Sequence, residues 1–341
     1  MMKIFTKLCQ LLFISTFMLS SMYSNANESK LSLEVFISEP SEINVTSALI
    51  KGSSEMMVVS AQGTKSAANR LADQIEKTGL TLKYIFLTHP HLDHSQGASV
   101  LTKRFPEAQF IATPEVAALQ RHRIELDDDL ASSRHGDNAA IPSVPAIDYS
   151  ETFLLIDGFE IEIWKDIIGD AGIGNPYEPH VALYIPSLNA LLPSDVVYFQ
   201  GHVMMGGSTP ESRHLWMAQL REWQRLNLDI VVPGHMPKDK KEEWSADGAL
   251  THTLEYIERY DAALSESNSP KEVINTMISY YPEMGHRSAL YLSAYIDFGQ
   301  MHMLTFNPTV ERVANWIPES LLQWVNQKIF EYKKKQYSLD N

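Results

Sequence analysis

The chain has 341 residues, 44% of them hydrophobic, with a formal net charge of −14, enough for one large core with an appendage or for two modest domains. So acidic a balance argues against nucleic acid as a partner, because that binding draws on clustered Lys and Arg; otherwise it reports solubility. The single cysteine is Cys9, which falls in a segment expected to be removed, so disulfides and thiolate metal ligands are excluded from the mature chain.

Residues 1–26 carry Lys3 and Lys7, an apolar run from Leu8 to Leu19, and a small-x-small ending at Ser24-Asn25-Ala26. This pattern predicts a secretory signal peptide cut before Asn27 and a periplasmic or secreted mature protein. Ser15, Thr16, Ser20 and Ser21 dilute a run already shorter than the ~20 residues that span a bilayer, so no stable membrane anchor is expected after cleavage. Cys9 begins the apolar run rather than ending it, which argues against a lipoprotein.

Short strands are predicted at 31–37, 46–51 and 56–60. Residues 65–78 place Leu71 and Ile75 one turn apart before Gly79, predicting a helix with a glycine stop. Residues 81–88 read as a buried strand and 109–112 as another, after which Thr113-Pro114 opens a helix. Residues 124–148 change character, with Asp127-Asp128-Asp129, Ser132-Ser133 and two prolines, and predict a long loop or lid. Asp157-Gly158 predicts a hairpin within 153–164. Short strands follow at 181–185 and 191–192. Thr209-Pro210 caps a helix to Asn227 with Trp216, Leu220 and Trp223 on its core face, and 230–232 is a last buried strand. Beyond residue 245 the texture is helical, with a capping box at Ser269-Pro270-Lys271-Glu272 and further helices at 291–306 and 321–332.

The predicted strand 81–88 runs into His89-Pro90-His91-Leu92-Asp93-His94. On an extended segment or tight loop the rings of His89 and His91 point the same way. Neutral imidazole nitrogens and carboxylate oxygens are what Zn²⁺ or a similar divalent ion takes. Two metal shells need more ligands than one cluster supplies. His180, Asp195 and His235 each lie where an apolar run hands over to a loop.

The H-x-H-x-D-H element followed by His180, Asp195 and His235 resembles the metallo-β-lactamase-fold hydrolases over about residues 33–240. The resemblance implies an α/β fold, an αββα sandwich of two mixed sheets flanked by helices with the metals at one edge. It implies two Zn²⁺, or another divalent pair: His89, His91 and His180 hold the first, Asp93, His94 and His235 the second, and Asp195 bridges them. The family's glycine before the bridging aspartate is Ser194 here, and its glycine-histidine-threonine is replaced around Pro179-His180-Val181. Residues 27–245 are then expected to form the catalytic domain, and 246–341 a helical C-terminal extension.

The expected activity is hydrolysis of a small-molecule substrate by metal-activated hydroxide, with Asp93 as orienting base and proton shuttle. The β-lactamase branches with a cysteine ligand are excluded, and the remaining one generally lacks the bridging aspartate. A cyclic or acyl ester is therefore expected, a lactone first. β-Lactam hydrolysis is the alternative, and a non-catalytic binding protein retaining the fold is a second. Tyr198 resembles a tyrosine that acyl-homoserine lactonases place against the lactone carbonyl, although a strand-end aromatic explains it as well. His202 is expected to be solvated rather than pocket-lining, as are His122, His135, His214, His252, His286 and His302. Trp216 and Trp223 are expected in the core.

Overall fold

The structure, a computed structural model, describes residues 30–172 and 175–300. The expected signal peptide, the helix at 321–332 and His302 lie outside the described residues, and the helix expected at 291–306 runs instead over Arg287–Asp297 and gives way to a turn with left-handed Gly299.

Six strands make the first sheet, in the order β1 (Ser32–Ile37), β2 (Thr46–Lys51), β3 (Glu55–Val59), β4 (Thr81–Phe86), β5 (Gln109–Ala112) and β6 (Ile147–Asp148). The β1–β2 and β2–β3 pairs are antiparallel and the next three parallel. The second sheet is ordered β11 (Ile230–His235), β10 (Ala190–Tyr198), β9 (His180–Ile185), β8 (Phe159–Ile167) and β7 (Phe153–Ile156). It is antiparallel except for β10–β11. Both sheets are mixed, and they stack as a sandwich.

Strand alternation explains the layers, since neighbouring side chains leave opposite faces. Ala48, Ile50, Met57, Val59, Phe86 and Ile111 point between the sheets, where they meet Leu183, Ile185 and Val197. Leu49, Met56, Val58, Ile85 and Phe110 point outward. There they are covered by α1 (Lys65–Thr78), α3 (Ala98–Arg104) and α4 (Pro114–His135), the short α2 (Leu92–Ser95) lying between strand and α3. Helix α1 is capped by Thr64, whose side chain accepts from the Ala67 amide, and ends on left-handed Gly79. Asp157 and Gly158 both take positive φ in the β7–β8 hairpin, as a two-residue turn requires.

The second sheet is covered by α5 (Pro210–Arg225) and α6 (Ala246–Glu266), followed by α7 (Pro270–Tyr280) and α8 (Arg287–Asp297). Trp216, Trp223, Tyr256, Ile257 and Tyr260 belong to the same core cluster as Val197 and Tyr198, so the helices after residue 245 share a core with the sheet. Among the described residues no helix is long and apolar enough to cross a membrane.

Two further expectations are corrected. Residues 124–135 are not a loop but the second half of the 22-residue helix α4. The acids do not break it: Asp127 pairs with Arg123 one turn earlier at 3.5 Å, and Asp128 accepts from the Ser143 amide and hydroxyl. The helix continues until Gly136, the first residue that favours a stop. The strand expected at 191–192 runs instead from 190 to 198, straight through Pro193. The β10–β11 register shifts between Leu191 and Ser194, so the missing amide of Pro193 falls at an irregularity of the ladder.

Candidate metal centre

Four strand ends of the two sheets deliver the ligands to one edge. After β4 the chain extends through Leu87 and Thr88 to His89, then enters α2, with His91 at its N-cap and Asp93 and His94 inside it. The Val181 amide donates to the Thr88 carbonyl at 2.9 Å, which seats the start of β9 and His180 beside His89. Asp195 lies in β10 and His235 ends β11. Helix α6 grips the end of β10, because Thr253 Oγ1 accepts from the Tyr198 amide (2.9 Å) and donates to its carbonyl (3.0 Å). Ser194 takes φ 50°, the left-handed region where glycine is unstrained, which gives a physical reason for the family's glycine at that point.

Each imidazole has one nitrogen tied away from the centre. Nδ1 of His235 lies 2.8 Å from the Ile43 carbonyl and Nδ1 of His180 2.9 Å from the Glu178 carbonyl. Nε2 of His91 lies 3.0 Å from Glu178 Oε1. These partners only accept, so the named nitrogens carry the protons. His94 and His89 turn Nδ1 toward the hydroxyls of Ser60 (2.8 Å) and Thr88 (3.1 Å). The remaining nitrogens converge. His180 Nε2 is 2.9 Å from Asp170 Oδ1, and His91 Nδ1 is 3.2 Å from Asp170 Oδ2. His94 Nε2 is 3.0 Å from Asp195 Oδ1 and 3.4 Å from His235 Nε2. His235 Nε2 is 3.2 Å from Asp195 Oδ2 and 3.4 Å from Asp93 Oδ2. His89 Nε2 is buried without a hydrogen-bond partner, 3.6 Å from Asp195 Oδ2.

Bare imidazole lone pairs facing carboxylates repel unless positive charge lies between them. Two compact groups result, their ligand atoms within 4.8 Å of one another: His89, His91, Asp170 and Asp195, and Asp93, His94, Asp195 and His235. The orphaned His89 nitrogen and the converging lone pairs fit a pair of divalent cations, with Asp195 common to both positions.

Proton affinities carry the same imprint. Burial acts to lower His91, but Asp170 and Glu178 at its two nitrogens overcome it and push the imidazole well above its ordinary value. His235 is raised for the same kind of reason, burial being outweighed by Asp195 and Asp93. His89, where burial dominates over Asp195, falls to about 4. Burial works to raise Asp195 and Asp170, yet both are held well below the usual carboxylate range, Asp195 by His94, His235 and His89 and Asp170 by His91 and His180. Without metal the centre holds protons, and metal binding releases them.

The structure brings His89, His91, Asp93, His94, Asp195 and His235 into these groups. His180 stands one atom further out, on Asp170 Oδ1, with its ring stacked on His89 at 4.8 Å. Tyr198 is buried in the wall of the centre, its hydroxyl 3.2 Å from Asp195 Oδ2 and 3.4 Å from Asp170 Oδ2. Sequence reading missed four residues. Asp170 is a ligand-group member on the loop after β8. Glu178 accepts from His91 and from Arg123 Nη1 (3.0 Å), a buried ion pair behind the first group. His286, expected to be solvated, stacks on His235 at 4.5 Å from a left-handed backbone. His202 is fully buried against Tyr256 at 2.9 Å, and His252 is half-buried, its Nε2 donating to the Gly201 carbonyl at 3.1 Å; among the described residues only His122 and His214 are exposed as expected, while His135 is half-buried.

Comparison with known proteins places this centre in a family. A hydroxyacylglutathione hydrolase of Aeromonas salmonicida is 28% identical over 137 residues, covering 40% of this chain. The chain spans about half of that relative's length, 53%. Among solved structures, a metallo-beta-lactamase from Pontibacter korlensis (TM-score 0.45, 18% identity, 67% of this chain and 95% of that one) is similar. So is the DIM-1 metallo-beta-lactamase exposed to ceftazidime (TM-score 0.48, 17% identity, 67% and 97%). A family model described as Metallo-beta-lactamase superfamily matches residues 56–235, from β3 to the last ligand His235, and the chain belongs to that superfamily.

Proposed function

We propose that this metal-dependent hydrolase cleaves a cyclic or acyl ester, a lactone first, outside the cytoplasm. The observation that carries the reading is Asp195, whose carboxylate belongs to both ligand groups. That shared carboxylate favours the ester-cleaving branches over the β-lactamase branch that does without one. The named relative, a hydrolase of hydroxyacylglutathione, is in keeping with acyl cleavage. The extracytoplasmic placement rests on the basic, apolar and small-x-small pattern of residues 1–26.

A bound pair of divalent cations would supply hydroxide near neutral pH and polarise the carbonyl under attack. The protein's residues do the rest. His89, His91, His94 and His235 present bare nitrogens inward because Thr88, Glu178, Ser60 and Ile43 hold their other faces. Asp93 is the most exposed acid of the two groups, its side chain 21% accessible, so it can orient a nucleophile and carry a proton between it and the leaving group. Tyr198, kept protonated by burial and by the nearby Asp170 and Asp195 carboxylates, donates to Asp195 and fixes its orientation. Its buried hydroxyl acts on the bridge, as a positioning residue.

A hydrolysis panel of lactones, β-lactams, acylglutathione thioesters and phosphodiesters, run on metal-loaded mature protein, tests the proposal. Lactone or acyl-ester turnover is expected to exceed the rest. Faster β-lactam turnover would move that alternative ahead, and no turnover with metal bound would favour the binding-protein reading. N-terminal sequencing of exported material, expected to start at Asn27, tests the location.

A further inference from the structure

The C-terminal helices bring a histidine to the metal centre. Helix α8 packs on the loop after β10: the Met205 amide donates to Ser293 Oγ at 2.8 Å, and a methyl at Gly206 would lie 2.9 Å from the Ser293 Cα. Just before the helix, Gly285 bridges to Gly201, and the His202 amide donates to the Gly285 carbonyl at 3.1 Å. This docking sets His286, the N-cap of α8, beside the last ligand His235, with ring centroids 4.5 Å apart and planes at 17°. The backbone of His286 takes φ 57° and ψ 35°, a left-handed conformation that is costly for a residue with a Cβ. Its side chain makes no hydrogen bond to the first turn, which is the usual work of an N-cap. Nδ1 is sealed from solvent without a partner, the His202 backbone passing close to the ring without completing a hydrogen bond.

Stacking alone does not call for histidine, because phenylalanine offers the same flat face and buries no polar nitrogen. The second nitrogen is what distinguishes the two. Nε2 has no partner among the described residues, and the half-buried ring leaves it open. A neutral imidazole carries one N–H and one lone pair. A buried N–H without an acceptor is the rarer orphan, so the proton belongs on Nε2 and Nδ1 keeps the lone pair. The open nitrogen is then a donor, on a ring that lies against His235 in the wall of the second ligand group. We propose that His286 is a substrate-contacting residue: its Nε2–H donates to an oxygen of the acyl group under attack, on the side of the second metal position, and binds the oxyanion that forms there. This rests on the hydrolase reading of the centre and not on ester specificity, so a failed lactone assay leaves it standing.

The test uses no turnover. Inorganic phosphate is the probe, since its tetrahedral oxygens imitate that oxyanion. Phosphate affinity of the metal-loaded protein is measured by titration calorimetry, with metal content read on the same samples. His286→Phe keeps a ring over His235 and removes the nitrogen. It is expected to retain its metals and to bind phosphate at least ~10-fold more weakly than wild type, the loss that goes with one hydrogen bond to a charged group. Equal affinity in wild type and variant, or no phosphate binding by the wild type, would overturn the assignment and leave His286 a packing residue. In a second measurement, crystals of the wild-type protein are grown with metal and phosphate, and Nε2 of His286 is expected within ~3.2 Å of a phosphate oxygen. A phosphate seated at the centre beyond the reach of His286 would overturn the proposal by itself, so a variant that fails to fold or to hold metal does not rescue it.

Discussion

Gly234→Ala is the sharpest probe of how the fold places the bridging carboxylate. A methyl group at 234 would lie 1.9 Å from Asp195 Oδ1, 2.7 Å from the Asp195 nitrogen and 2.7 Å from the Ser194 carbonyl carbon. Two of these three atoms are backbone and cannot swing away as a side chain would. Their strand is held on both sides, by β9 through Leu191 and Leu192 and by β11 through Ser194 and Tyr198. The β11 side is pinned too, since Thr46 Oγ1 donates to the Gly234 carbonyl at 3.2 Å and the Met236 amide to the Asn44 carbonyl at 3.1 Å. Overpacking costs ~1–3 kcal/mol where neighbours can adjust, and a clash with two pinned strands belongs at ~3 kcal/mol or above. For a domain of this size that corresponds to a fall in Tm of roughly 6–12 °C. Thermal unfolding should be followed in chelator, so that bound metal does not mask the loss. Metal content is the second readout, because Asp195 must move and both positions lose a donor. A Tm within ~2 °C of wild type together with full metal content would refute the reasoning, showing that the strands part at no cost.

Asp195→Asn should fold, lose much of one metal and fall at least ~10²-fold in kcat with a smaller change in KM, whereas Tyr198→Phe should cost only ~10-fold; retention of both metals in Asp195→Asn would end the bridge assignment. Glu178→Gln keeps an acceptor for His91 but leaves the buried Arg123 guanidinium with a weaker partner, so metal affinity measured by chelator competition should fall ~10–100-fold, and an unchanged affinity would count against the Arg123–Glu178–His91 relay. Asp297 tests a titration away from the centre: burial, only partly offset by Tyr260 and the Gly207 amide, raises its carboxyl to about 6. A raised acid destabilises the fold once ionised, so the penalty is absent below the unfolded value near 4, grows between pH 4 and 6 and is complete above pH 6. Asp297→Asn in chelator should therefore match wild type at pH 4 and exceed it by ~1–2 kcal/mol at pH 8 in urea unfolding, a figure reduced for its partial exposure; equal stability at pH 8 would show the carboxylate to be well solvated.

Most of the sandwich was legible because local signals agreed with tertiary demands. Helix α1 carries its cap, its apolar stripe and its glycine stop within sixteen residues, and Asp157-Gly158 names its own turn. Misreadings came where a residue's partner was distant in sequence. The acids from 127 on look like a breaker because two of the partners that hold this stretch are not local: Ser143 donates to Asp128 at 2.6 Å, and Gln96 donates to the Asp127 carbonyl at 2.9 Å. Pro193 looks like a strand end because the ladder irregularity that tolerates it belongs to the pair β10–β11, not to either strand alone.

The centre divides along the same line. His89, His91, Asp93 and His94 announce themselves because four donors within six residues are improbable for any other purpose. Asp195 and His235 are found through that cluster, being donors at the ends of apolar runs. Asp170 has no such signal: it sits in Ile168-Gly169-Asp170-Ala171, an unremarkable acid after a strand, ten residues before His180. What makes it a member is the fold of the loop. Gly169 lets the chain pass so close to His180 that a methyl there would lie 3.0 Å from Nε2, and Gly172 does the same against Glu178, where a methyl would lie 1.7 Å from Oε2. The two glycines press one short loop against both His180 and Glu178. A sequence pattern registers the histidine that such a loop encloses and not the aspartate it carries, so ligands added by a loop's path rather than by a motif's spacing become visible only in three dimensions.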